Sequence, residues 1–204
     1  MTADPRTLAE AKSTLLRGGV LLLATDTVLG LAALPSNRAA VDKVFALKQR
    51  AREKNLPIMV ASSAQLSELG GHLTPSAQAC LDSDFMPGAL TIAVGLNADA
   101  TPDWLAGRAE CAIRIPNDTV LLALLTDVGP LLVTSANIAG QETPQTTKLA
   151  LAELNGTPDY VLHGTAKSQT PSTLVNCRVS PAKIERIGAV PETEINAILE
   201  RADD

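Results

Sequence analysis

The 204-residue sequence predicts an α/β fold: a single domain over residues 1–204 in which a twisted mixed sheet is flanked by helices. Three observations predict it. Short continuous apolar runs alternate with stretches of helical period. Those runs are apolar at successive positions, which suits strands covered on both faces. No glycine- or serine-rich linker and no internal repeat divides the chain.

The elements follow in order. Residues 6–16 read as a helix, with Leu8, Ala11, Leu15 and Leu16 near helical spacing and Gly18-Gly19 as the stop. Val20-Leu21-Leu22-Leu23-Ala24 is the first strand, followed by Thr25-Asp26-Thr27 and Gly30. Asn37 can cap a helix running to Lys48, with Val41, Val44 and Phe45 as its buried stripe. Lys48 falls seven residues after Val41, on the same inward face. Residues 57–61 form a strand, 63–69 and 75–81 short helices, Met86-Pro87-Gly88 a turn, and 90–95 a strand. Residues 111–115 form a strand bearing Arg114, 120–125 a helix, 131–134 a strand and 135–140 a polar loop. Residues 147–154 form a helix, strands lie around 160–162, 173–177 and 184–187, and a closing helix carries Ile195, Ile198 and Leu199 on one face.

Composition bounds the function. With 46% apolar and 19% charged residues, the chain can bury a sizeable core. Two Phe, one Tyr and one Trp leave little for base stacking, which argues against a single-strand nucleic-acid binder of that kind. The net charge of −5 has the wrong sign for a generic nucleic-acid binder, so any anion site is a local basic patch. One such patch spans 42–54, where Lys43, Lys48, Arg50, Arg52 and Lys54 face only Asp42 and Glu53. Cys80, Cys111 and Cys177 lack CxxC spacing and, with His72 and His163, suggest neither a disulfide framework nor a protein-held metal. The start, Met-Thr-Ala-Asp-Pro-Arg, lacks a signal-peptide pattern, and the five-residue run at 20–24 is too short to span a bilayer. A cytoplasmic protein without membrane partners is expected.

Walker-type, GxGxxG, HExxH and GxSxG motifs are absent. Ser135 has no neighbouring histidine in sequence to make it a nucleophile. Four polar stretches interrupt the apolar pattern instead. Thr25-Asp26-Thr27 and Ser135-Ala136-Asn137 stand at carboxyl ends of strands, where open α/β sheets bind ligands. Pro171-Ser172-Thr173 precedes a strand, and Lys48-Gln49-Arg50-Ala51-Arg52 ends a helix. Hydroxyls can orient a small polar ligand, and Lys and Arg can neutralise phosphates or carboxylates. Taken singly, a Thr-Asp-Thr is often only a turn, and a basic helix end often only complements the dipole. Arg114 in an apolar strand demands a partner, supplied by a protein carboxylate or by a ligand.

Together these stretches resemble the YrdC-like family of threonylcarbamoyl-AMP synthases. The matching segments run in family order: Ala24-Thr25-Asp26-Thr27-Val28-Leu29-Gly30-Leu31, Lys48-Gln49-Arg50, and Pro87-Gly88-Ala89-Leu90-Thr91. Ile113-Arg114-Ile115-Pro116, Thr134-Ser135-Ala136-Asn137-Ile138-Ala139-Gly140, Pro171-Ser172-Thr173-Leu174-Val175 and Ile184-Glu185-Arg186-Ile187-Gly188 complete the set. The resemblance covers roughly residues 8–190. Departures fall at Ala24 (usually Pro), Leu29 (usually Tyr), Ala139 (usually Ser), Glu110 (often Thr) and Lys54-Asn55-Leu56-Pro57. Leu29 bears on packing around the amino-acid pocket, and Glu110 on the adenylate contacts.

The resemblance implies a YrdC-like fold with an open ligand-binding cavity. It also implies an L-threonylcarbamoyladenylate synthase, a nucleotidyltransferase acting on L-threonine, bicarbonate and ATP. Lys48 and Arg50 are the expected catalytic residues. Thr27, Arg114, Ser135 and Ser172 would hold threonine or its carbamate, while Lys48, Arg50, Asn137 and Arg186 would hold ATP. Mg²⁺ would be carried by ATP, with no protein metal site. The implied downstream partner is the tRNA threonylcarbamoyl-transferase machinery, with possible tRNA contact. A second reading keeps the fold but makes the protein an RNA- or nucleotide-binding paralogue without synthase activity.

Overall fold

The structure, a computed structural model, describes residues 4–52 and 55–203. Lys54 and Glu53 of the basic patch lie outside the described residues, as do Met1, Thr2 and Ala3.

Helix α1 (Pro5–Leu16) is capped by Asp4, whose carboxylate accepts from the Arg6 and Thr7 amides. It leads into β1 (Leu21–Ala24), which turns at once into β2 (Leu29–Ala33). Helix α2 (Arg38–Lys48) starts at Asn37, whose side chain accepts from Ala40 N, and ends at Gln49 in a left-handed conformation. Then come β3 (Ile58–Met59), α3 (Ser63–Glu68), β4 (Gly71–His72), α4 (Pro75–Leu81) and β5 (Leu90–Leu96). A single 3₁₀ turn, Asp103–Leu105, precedes β6 (Glu110–Arg114), α5 (Thr119–Val128) and β7 (Leu131–Ser135). The chain continues through α6 (Thr147–Glu153), β8 (Tyr160–Val161), β9 (Thr173–Asn176), β10 (Lys183–Arg186) and α7 (Glu192–Asp203).

One sheet holds all ten strands in the order β10-β9-β5-β6-β3-β7-β2-β1-β8, with β4 added beside β5. It is mixed. Only β1–β8, β3–β6 and β5–β9 are parallel; the other six pairings are antiparallel. Two apolar layers cover it. Leu22, Leu29, Leu31, Ile58, Leu90, Ile92 and Ile113 face one way, toward Val44, Leu47, Cys80 and Ile195 of the helices. Leu21, Leu23, Ala32, Leu131 and Val133 face the other, toward α1 and α5 through Ala11, Leu15, Leu121 and Leu124. Burial on both faces is why the central strands show continuous apolar runs.

Three elements escape the sequence reading: β2, β4 and the 3₁₀ turn. Strand β2 lies in the run Val28-Leu29-Gly30-Leu31-Ala32-Ala33, which has no period to read because every residue of the strand is buried. Its presence breaks the strand–helix alternation, since β1 and β2 pair directly in antiparallel register from Leu21–Ala32 to Ala24–Leu29. The inward face of α2 also differs in detail. Val44 is fully buried with Ala40, Leu47 and Lys48, whereas Val41 and Phe45 are only partly covered.

Candidate functional site

The carboxyl end of β1 bends into a turn that carries its own internal bonds. The Thr25 hydroxyl donates to Val28 O at 2.7 Å and accepts from Thr27 N at 3.0 Å. This fixes Thr27 beside the end of β6, where Arg114 reaches across. Gly30 permits the approach: a Cβ there would meet Val133 Cγ1 at 3.0 Å and Thr25 Cγ2 at 3.3 Å.

Arg114 is 4% exposed and donates from each of its three nitrogens. Its Nε donates to Gly88 O, Nη1 to Thr27 Oγ1 and Nη2 to Asp26 Oδ1, each at 2.8 Å. The second Asp26 oxygen accepts from Asn117 N at 3.0 Å. The partner that an arginine in an apolar strand requires is therefore Asp26, a residue absent from the expected site. Its signal was present in the sequence, as the only carboxylate within the Thr25–Thr27 turn. Burial lowers the Arg114 pKa while Asp26 raises it, and the balance is downward.

Opposite this knot, β9 begins at Thr173 with Ser172 just before it. The Ser172 and Thr91 hydroxyls share a 2.7 Å hydrogen bond. Arg186, at the end of β10, donates to Ser172 O from Nε at 3.2 Å and from Nη2 at 2.8 Å. Gly188 explains how the two segments touch. A Cβ there would meet Pro171 O at 2.3 Å, so the turn after Arg186 can lie on Pro171–Ser172 only with glycine.

The third wall is the end of β7. Ser135 Oγ donates to Asn137 Oδ1 at 2.6 Å, and Asn137 Nδ2 donates to Gln141 O at 2.6 Å. Lys48 holds this loop from behind. The residue is 1% exposed, and its ammonium donates to Ser135 O, to Asn137 O at 2.8 Å and to Asn137 Oδ1 at 3.1 Å. Burial, and the charge of Arg50 secondarily, push its pKa down to about 8.

These walls enclose a cleft of about 140 Å³. Thr27, Arg50, Arg114, Ser135, Ser172 and Arg186 all line it, so six expected site residues from distant segments converge. Lys48 and Asn137 do not. Both are buried behind the wall, because in the dehydrated interior the ammonium is held by the loop carbonyls rather than turned toward the opening. Arg50 stands at the opening, with Nη2 donating to Asn55 O at 3.1 Å and burial lowering its pKa. Arg186 is exposed, and burial around its guanidinium together with Arg114 lowers its pKa.

Two departures from the family pattern sort differently. Leu29 lines the cleft and is fully buried, an aliphatic wall. Glu110 is at the opposite end of β6 from Arg114, paired with Arg178 across the sheet edge, and takes no part in the cleft. A strand of five residues carries its two ends to opposite edges of the sheet, so nearness in sequence to Arg114 does not bring Glu110 to the site. Among the described residues no group of three or more His, Cys, Asp or Glu side chains gathers to hold a metal.

Residues 13–188 match the Sua5/YciO/YrdC family, whose description reads telomere recombination. The chain belongs to this family. A threonylcarbamoyl-AMP synthase of Bacillus subtilis is 31% identical over 201 residues, covering 97% of this chain and 58% of the relative. A putative threonylcarbamoyl-AMP synthase of Methanocaldococcus jannaschii is 32% identical, covering 88% of this chain and 84% of the relative. P. abyssi Sua5, solved as a complex with L-threonine, superposes with a TM-score of 0.87 at 25% identity. That match covers 97% of this chain and 58% of the P. abyssi chain. The chain thus spans little more than half of some relatives and most of others.

Proposed function

We propose that this chain is an L-threonylcarbamoyladenylate synthase, making threonylcarbamoyl-AMP and pyrophosphate from L-threonine, bicarbonate and ATP. One observation carries the reading: hydroxyls and guanidinium groups from six separate segments meet in one small cleft. The names of the B. subtilis and M. jannaschii relatives, and the L-threonine bound to P. abyssi Sua5, support it.

The deep part of the cleft has room for an amino acid, not for a whole nucleotide, since drug-sized ligands need about 300 Å³ or more. Thr27, Ser135 and Ser172 offer hydroxyls to threonine or its carbamate. Arg114 keeps N–H groups beyond its three bonds and faces the same space. Threonine's amine adds to carbon dioxide from bicarbonate and loses a proton to the hydroxide released, so that a carbamate and water form. A carbamate oxygen attacks the α-phosphorus of ATP, the bond to the β-phosphate bridge breaks, and pyrophosphate leaves. Charge gathers on phosphoryl oxygens, and Arg50 and Arg186 at the opening stabilise it.

Lys48 and Asn137 act from behind the wall, holding the loop that presents Ser135. Mg²⁺ would come with ATP and would offset phosphate charge; Asp26, the carboxylate of the site, is committed to Arg114 and Asn117. In this reading the product is consumed by the transferase machinery that modifies adenosine in tRNA. In our reading the reaction takes place in the cytoplasm.

Incubation with ATP, L-threonine and bicarbonate, followed by mass spectrometry, tests the reading. Threonylcarbamoyl-AMP and pyrophosphate are expected together, and neither without threonine. Salt-dependent RNA binding with no adenylate formed would instead make the chain an RNA-binding paralogue.

A further inference from the structure

Away from the cleft, the amino-terminal end of β7 and the face of α2 border a second recess of about 140 Å³. It is lined by Val41, Phe45, Leu56, Trp104, Leu132 and Arg108. Two features set it apart. This protein has four aromatic residues in all, and two of them, including its one Trp, stand here. Aromatic walls are thus concentrated where neither the cleft nor the core centre needs them.

The second feature is Arg108. It is half-buried against these apolar walls, yet among the described residues its guanidinium has no hydrogen-bond or ion-pair partner. Arg52 nearby is already used: it lies 5.4 Å over the Phe45 ring and pairs with Asp42. Among the described residues no carboxylate lines the recess. A guanidinium beside apolar walls is stable only with a counter-ion or with water, and its planar fork suits a carboxylate. The volume fits one ring, since an apolar cavity of about 150 Å³ holds benzene.

We infer that this recess binds a small organic carboxylate carrying one ring-sized apolar body, the ring against Phe45 and Trp104 and the carboxylate on Arg108. A phosphate monoester is a poorer match, because a single unengaged guanidinium faces the recess. The inference does not rest on the proposed synthase activity. Burial lowers the Arg108 pKa, and the nearby Cys111 opposes that shift.

The single Trp makes the test direct. Titrating the whole protein with phenylacetate, a saturable change in Trp104 fluorescence in the millimolar range or below is expected. Benzyl alcohol, which keeps the ring and lacks the charge, should bind about tenfold more weakly, and so should phenylacetate to Arg108→Gln. L-Threonine should not compete, which separates this site from the cleft. No saturable change, equal affinity for benzyl alcohol and phenylacetate, or competition by L-threonine would each overturn the inference.

Discussion

Two cationic regions of the same cleft are built in opposite ways. At the floor, Arg114 and Asp26 are both nearly inaccessible, with side-chain exposures of 5% and 9%, and they neutralise one another. At the wall and opening, Lys48 and Arg186 are held only by neutral acceptors, the oxygens of Ser135, Asn137 and Ser172. A neutralised pair organises the turn, the strand end and the Gly88 segment without attracting an anion strongly. Lys48, sealed behind the wall, spends its charge on the loop, whereas Arg186, held by Ser172 at the opening, keeps its field for an anion, the role we propose for it toward phosphate. The difference teaches which arginines of one motif set serve shape and which serve charge.

Arg50→Ala is the largest break to make on the charged side. It should reduce pyrophosphate release by a factor of about 100 or more, with the circular-dichroism spectrum unchanged. Near-normal turnover would remove Arg50 from the reaction.

Asp26→Asn attacks the neutral side. It leaves Arg114 buried and without its carboxylate, at a cost of about 3–5 kcal/mol in urea unfolding. A loss under about 1 kcal/mol would mean that the pair does not hold the floor together.

Lys48 tests the wall through pH. Its folded value of about 8 lies below the ordinary 10.5. Between those values the unfolded chain holds a proton that the folded chain has released, so the Lys48 contribution, read as wild type minus Lys48→Met, should rise as pH climbs above about 8. At about 1.4 kcal/mol per unit, the gain by pH 10.5 is up to about 3 kcal/mol. Lys48→Met should lack that rise in parallel denaturation series, and an identical profile would contradict the assignment.

The smallest effect is expected for Glu110→Thr, which restores the residue common in the family. The half-exposed pair with Arg178 should contribute less than about 1 kcal/mol, and adenylate formation should stay within about twofold of wild type. A larger change in turnover would place Glu110 in contact with the site after all.

The chain's local chemistry determined its elements. Asn37 caps the helix that the sequence starts there, Ser62, Thr74 and Asp118 cap three others, and apolar runs mark the strands covered on both faces. Six of the eight expected site residues line one cleft, because hydroxyl and guanidinium groups next to strand ends have few other uses. What only the tertiary structure decided concerns direction and pairing. Strand β2 lacks a readable period because both of its faces are covered, so its pairing with β1 emerges only in the sheet. Asp26 becomes the partner of Arg114 across 88 residues, and Lys48 turns to a loop 87 residues away instead of to the opening. The physical reason is shared: a sequence specifies which groups carry charge, but the cost of burying charge is settled only when folding brings oxygen acceptors within reach.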